Sequence, residues 1–295
     1  MLDQATALET RVVEIGGVAI ALRTGSLAFA RMVEERYAGF VTDGGEGNSG
    51  IRFDIELRES AAGVGESCEM EDAELEGLAE DDLSVRYEGG VWWMERGDFV
   101  AQWDPRSGRG RIRQAANPYS LDSIIRIVHS LVLAERGEFL VHAASAIRNG
   151  CAFLFAGVSG AGKTTISRLA PADAILLTDE ISYVRKAEGA SGASSAATPH
   201  YDAHGTPFAG ELARVGEHCS APLRALYLLQ QGPENRVGEV PRAAAIQALL
   251  RNILFFAHDA ELVQRVFEGA CEFVDSVPVR TLTFRPEAAV WDLIG

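Results

Sequence analysis

The residues able to do chemistry are concentrated between positions 142 and 211. Gly157-Val158-Ser159-Gly160-Ala161-Gly162-Lys163-Thr164 matches G-x-x-x-x-G-K-[ST], the pattern of a loop whose backbone N–H groups curl around phosphate oxygens. Glycines 157, 160 and 162 permit that curl. Lys163 is spaced to bridge the β- and γ-phosphates, and the Thr164 hydroxyl to ligate Mg²⁺. Thr165 continues into a helix whose N-terminus adds partial positive charge. The segment predicts binding of a nucleoside triphosphate, expected to be ATP, with Mg²⁺ as cofactor. It does not say what becomes of the γ-phosphate.

Three further features bear on that question. Asp179-Glu180 directly follows the apolar run Ala174–Thr178, only 15 residues after Thr164. Carboxylates at the C-terminal end of a strand in an open α/β sheet lie where ligands bind. There they either hold Mg²⁺ through water, accept a proton from an attacking hydroxyl, or are simply solvated. His142 lies 15 residues before Gly157, and is either a packed residue of its strand or a member of the site. Thr206-Pro207-Phe208-Ala209-Gly210-Glu211 is a Pro/Gly-punctuated turn presenting one acid, read as a surface turn or as the source of a second metal carboxylate.

These residues need a strand–loop–helix–strand frame. Cys151–Ala156 is a compact apolar run just before the loop, and Phe139–Ala144 precedes it across the turn Arg148-Asn149-Gly150. A short helix should follow Thr164 and break at Pro171, with a strand over Ala174–Thr178. Later elements are a strand over Pro222–Gln230, a helix over Arg242–Phe256, a strand over Val279–Phe284 and a terminal helix near Ala288–Leu293. Asn117-Pro118 breaks the chain, and Ser120 is expected to open a helix with Leu121, Ile124, Ile125, Val128 and Leu131 on one face. We place a domain boundary there, giving domains 1–117 and 118–295.

The first domain reads as a smaller α+β module. It has a hairpin over Arg11–Ile15 and Val18–Arg23 around Gly16-Gly17, then a helix capped by Ser26 and running to about Tyr37. An alternating strand covers Ile51–Leu57, and two more cover Ser84–Tyr87 and Val91–Glu95. Trp92, Trp93 and Trp103 read as core and cross-strand packing. Glu188–Thr198, rich in Ser, Gly and Ala, reads as a surface loop.

The formal charge of −15 argues against a nucleic-acid surface, which needs clustered Lys and Arg. The densest basic stretch, Arg106 to Arg113, reads as a hairpin turn with solvated strands. The acidic run Glu66–Asp82 reads as an exposed helix or loop face. No apolar run reaches the length of a membrane span, roughly 18–20 residues. Cys68, Cys151, Cys219 and Cys271 are widely spaced, as expected of reduced thiols in a cytoplasmic protein.

His142, the loop 157–164 and Thr178-Asp179-Glu180 together resemble the catalytic domain of HPr kinase/phosphorylase. That domain is similar in turn to ATP-dependent phosphoenolpyruvate carboxykinase, and the resemblance covers roughly residues 120–295. It implies an α/β fold of the P-loop kinase type. It places a general base at Asp179, the family histidine at His142, and a metal-binding glutamate at Glu211 alongside Thr164, with Glu180 as a further metal candidate. A catalytic arginine is implied further on, Arg251 first by spacing and Arg280 second. The family's adjacent aspartates are Asp179-Glu180 here, and the Pro-Gly-Arg-type continuation linked to phosphorylase activity is missing after Val277-Pro278-Val279-Arg280. The chain therefore looks more like diverged members, some of which phosphorylate a serine of ribosomally made peptides. HPr kinases form hexamers, so a homo-oligomer stays open.

The expected function is a Mg-ATP-dependent kinase acting on a hydroxyl of a peptide, protein or small molecule. The alternatives are a P-loop ATPase or switch without an acceptor, and a non-catalytic nucleotide-binding module.

Overall fold

The computed structural model describes residues 8–42, 49–58, 83–187 and 200–294. The acidic run Glu66–Asp82, the stretch Glu188–Thr198 and Cys68 lie outside the described residues. Strands β1 (Glu9–Ile15) and β2 (Val18–Thr24) form the expected hairpin, with Gly16 and Gly17 both at positive φ, as a two-residue turn of this hand requires. Helix α1 (Leu27–Arg36) starts where the Ser26 hydroxyl accepts the Phe29 N–H at 3.2 Å, and it buries Phe29, Ala30 and Val33. With β3 (Val41–Thr42), β4 (Ile51–Leu57), β5 (Ser84–Glu88), β6 (Val91–Arg96), β7 (Phe99–Asp104) and β8 (Arg109–Gln114), the hairpin builds an eight-stranded sheet ordered β3-β1-β2-β4-β8-β7-β6-β5. Trp92 and Trp103 face each other across β6 and β7, both buried. Residues 105–108 form the turn between β7 and β8.

Helix α2 (Pro118–Ala134) begins two residues before Ser120. The Asn117 side chain accepts the Ser120 N–H at 3.0 Å, and proline is tolerated in a first turn because its missing N–H would have had no partner. The Asn117-Pro118 break is thus a cap. Leu121, Ile124, Ile125, Val128 and Leu131 share one continuous core with Val13, Ile20 and Phe53 of the first sheet and with Tyr183 and Phe208 of the second half. Gly16, at the hairpin tip, sits under the Tyr183 ring, where an added Cβ would lie 2.3 Å from it.

The second sheet comprises β9 (Phe139–Arg148), β10 (Cys151–Ala156), β11 (Ile175–Thr178), β12 (Ile181–Lys186), β13 (Tyr201–His204), β14 (Ser220–Gln231), β15 (Arg236–Glu239), β16 (Ile253–Leu254) and β17 (Val279–Phe284). It is mixed: β10, β14 and β17 are parallel neighbours and the remaining pairings are antiparallel. The pairings β9–β12, β12–β13, β13–β14, β14–β10 and β10–β9 close a five-strand ring.

Four helical elements pack around the ring: α3 (Lys163–Arg168), α4 (Arg242–Asn252), α5 (Ala260–Ser276) and a terminal 3-10 helix (Ala288–Leu293). The helix expected over Arg242–Phe256 stops at Asn252, because Ile253 and Leu254 join β9 as β16. No helix among the described residues is long and apolar enough to cross a membrane.

Candidate functional site

The site lies where β9 changes partners on both edges. On one edge β10 pairs as far as Ala143, and β16 takes over at Val141. On the other edge β11 pairs as far as Ser145 and β12 takes over at His142, the two being joined only by Asp179-Glu180. In open α/β sheets, ligands bind beside the connections that leave such a point. Here those connections are the loop 157–162 and the Asp179-Glu180 turn, with His142 between.

In the glycine loop, Gly160 (φ +76°) and Gly162 (φ +110°) occupy conformations that side chains disfavour. Gly162 also rests against Phe284, whose ring would be 2.6 Å from an added Cβ. The Gln231 amide donates to the Gly160 carbonyl at 2.6 Å and ties the loop to the end of β14. Val158 is 81% exposed at the loop's crest, and Ser159 is exposed beside it. Ala161 is buried and donates its N–H to the Val158 carbonyl. Thr165 lies in the first turn of α3.

Lys163 Nζ donates back to the Gly157 carbonyl at 3.1 Å. Desolvation lowers its pKa, while Glu180 and Glu211 oppose the shift. Both carboxylates therefore lie within electrostatic range of the ammonium. Thr164 Oγ1 donates to Glu211 Oε2 at 2.8 Å, so two residues 47 positions apart meet at the loop. Pairing a loop hydroxyl with a carboxylate supplies hard oxygen donors in contact.

Asp179 is only 3% exposed. Its Oδ1 accepts the Gly210 N–H and its Oδ2 the Leu212 N–H, each at 2.9 Å. These two donors flank Glu211. Gly210 gives the approach its room, since a Cβ there would lie 3.0 Å from Oδ2. Thr178 completes the turn: its hydroxyl donates to the Phe208 carbonyl at 3.3 Å and accepts the N–H groups of Glu180 and Ile181. Asp179 thus braces the loop that presents Glu211, and both its oxygens are engaged in doing so.

Glu180 is more accessible, at 29% side-chain exposure, and its carboxylate lies 3.6 Å from the Arg126 guanidinium. The His142 imidazole is exposed on β9. Its pKa is nonetheless lowered, first by desolvation and then by the positive charges of Lys163 and Arg126.

Arg126 had no signature in the sequence. It stands among apolar residues of α2 like any solvated arginine, and its surroundings come from residues 142, 180 and 208. The arginines expected from the sequence stand on other elements. Arg251 is exposed in the last turn of α4, two residues before Ile253, which pairs with Val141. It makes no hydrogen bond or ion pair among the described residues. Arg280 is on β17 opposite Tyr227, whose ionisation it favours, as does Arg224, against the larger effect of burial.

The chain is a mixed α/β protein that gathers a glycine-rich loop, three acids, an imidazole and two cations at one level of a sheet. The family model described as SynChlorMet cassette protein ScmC matches residues 116–295, more than half of the chain, and the chain belongs to that family. No curated protein matches it. The matched span takes in α2 together with every residue of this site.

Proposed function

We propose that the chain is a Mg-ATP-dependent kinase that transfers the γ-phosphoryl group to a hydroxyl, with a serine of a peptide or protein as the expected acceptor. The reading retains the likeness of residues 120–295 to an HPr-kinase-like P-loop domain. The observation that carries it is the 2.8 Å contact of Thr164 with Glu211, one residue from Lys163 and directly after a glycine loop with two left-handed positions. A chance glycine turn has no reason to bring a carboxylate from 47 residues away onto the hydroxyl that follows its lysine.

The oxygen donors fit Mg²⁺. Among the described residues no group of three or more His, Cys, Asp or Glu forms a cage. Mg²⁺ requires none, since one or two carboxylates and substrate phosphates hold it. When bound, the ion neutralises charge on the β- and γ-phosphates. Thr164 and Glu211 are the residues that would hold it.

In this reading the loop N–H groups grip the phosphates, and Lys163 leaves the Gly157 carbonyl for the β- and γ-oxygens. The acceptor oxygen attacks phosphorus as the bond to the bridging oxygen breaks, and ADP leaves with that oxygen. Glu180, the more accessible of the two adjacent acids, takes the hydroxyl proton. Positioning and electrostatics supply most of the acceleration.

The test is incubation with γ-labelled ATP and Mg²⁺, with and without serine-containing peptides encoded beside the gene. The expected result is peptide-bound label that disappears in Lys163→Ala. Label released only as free phosphate would make the protein an ATPase. Absence of nucleotide binding altogether would refute both.

A further inference from the structure

We propose that Arg126, in the middle of α2, is a catalytic residue of this site, its guanidinium stabilising negative charge on the phosphoryl group as it passes to the acceptor. The inference rests on the kinase reading and adds a residue to it.

A guanidinium carries five N–H donors, and none of those of Arg126 makes a hydrogen bond among the described residues. Its Nε is buried without a partner. The nearest carboxylate oxygen, on Glu180, is 3.6 Å away, beyond the 2.7–2.9 Å or so of a charge-assisted hydrogen bond. The group is nevertheless held in place, with its central carbon 4.8 Å from the centroid of the buried Phe208 ring. Phe208 belongs to the same turn as Gly210 and Glu211, and its carbonyl is fixed by Thr178. A planar cation lying over a fixed ring, ion-paired at 3.6 Å but with no donor in a hydrogen bond, is preorganised to receive an anion.

The direction in which it faces follows from its neighbours. Glu180 lies near both cations: its carboxylate is 3.6 Å from the Arg126 guanidinium and it acts electrostatically on Lys163. Both cations act on His142. Arg126 and Lys163 therefore share two neighbours, Glu180 and His142, with Lys163 at the end of the glycine loop. A phosphoryl group passing from the glycine loop to an acceptor at Glu180 arrives beside the Arg126 guanidinium, 3.6 Å from that carboxylate. No other arginine in the described residues has these contacts.

The experiment compares the wild type with Arg126→Ala and Arg126→Lys. It measures ADP affinity, transfer of label from γ-labelled ATP to a serine peptide or to water, and thermal melting as a check on folding. Expected are ADP affinity within about twofold of wild type and a kcat lower by about 10²–10³-fold in both variants. Added guanidinium ion should restore at least about tenfold of the loss in Arg126→Ala, which a structural role for the side chain would not permit. Wild-type kcat in either folded variant, or a loss that guanidinium does not relieve, overturns the assignment of Arg126 alone. A variant that does not melt cooperatively is replaced as evidence by the other one. If the wild type binds ADP but transfers label to nothing, the kinase reading falls, and the role of Arg126 falls with it.

Discussion

Replacing Asp179 with asparagine separates two roles that a carboxylate at this position could have. In the structure each oxygen accepts a backbone N–H at 2.9 Å, from Gly210 and from Leu212. Asparagine has nearly the same shape but only one acceptor, so its amide nitrogen must point at one of those donors. One hydrogen bond to a charged group is lost, worth about 1.5–3 kcal/mol, and the other loses its charge assistance. Together the penalty against the loop conformation carrying Glu211 is roughly 2–4 kcal/mol. The loop then releases Glu211 from Thr164. The Mg²⁺ concentration for half-maximal transfer should rise about tenfold or more, since 1.4 kcal/mol is a factor of ten, while kcat at saturating Mg²⁺ stays within about threefold. ADP binding without Mg²⁺ should be unchanged. Phosphotransfer measured across a Mg²⁺ titration reads both quantities. If instead kcat falls by about 10²–10⁴-fold, the range for a lost general base, with Mg²⁺ dependence unaltered, the bracing argument is wrong and Asp179 is the base.

Two other perturbations follow from the packing. His129 is fully buried on α2, with Nδ1 3.1 Å from the Tyr183 hydroxyl, and desolvation lowers its pKa to about 3. The folded state holds it neutral while the unfolded state protonates it near pH 6.5, so its effect on stability is nil above that pH. Below it, about 1.4 kcal/mol is lost per pH unit down to about pH 3. Urea melts at pH 7 and pH 4.5 should show His129→Phe losing roughly 3 kcal/mol less than wild type over that interval; equal losses would refute the assignment. Gly162→Ala combines an unfavourable φ with a 2.6 Å clash against Phe284, whereas Gly160→Ala, with nothing within 4 Å, has only the φ penalty. Thermal melts and ADP titration should show the larger loss for Gly162→Ala, of about 1–3 kcal/mol for backbone strain plus the clash, with Phe284→Leu recovering only the steric part.

What was legible in the chain was legible locally. Gly16-Gly17 between β-prone runs marked the first hairpin, Ser26 the α1 cap, and Gly157–Thr164 its loop between β10 and α3. Val279–Phe284 and Ala288–Leu293 coincide with β17 and the 3-10 helix. The signal for α5 is local too: Asp259 caps it at the Leu262 N–H, and Leu262, Val266, Ala270 and Phe273 mark its buried face at helical spacing. β12 is masked in the sequence because its residues, Ile181–Lys186, resume after only two non-strand positions, so that Asp179-Glu180 reads as the end of a strand when it is the bend between two. What could not be read was anything set by closure of the ring. The brace of Asp179 on Gly210 and Leu212, and the placing of Arg126 over Phe208, depend on segments that approach only when distant strands pair.

That closure also dictates an order of assembly. β9 draws its partners from β10, β11, β12 and β16, the last ending at Leu254, and β10 pairs with β14 only after residue 223 has joined. Pairings of such sequence separation carry a large loop-closure cost and form slowly. At a synthesis rate of about 5–20 residues per second, the glycine loop leaves the ribosome several seconds before the strands that fix its surroundings. The nascent glycine loop therefore has no carboxylate opposite Thr164 until the turn at Glu211 has emerged and the ring has closed over it. In that sense the site is a late product of folding.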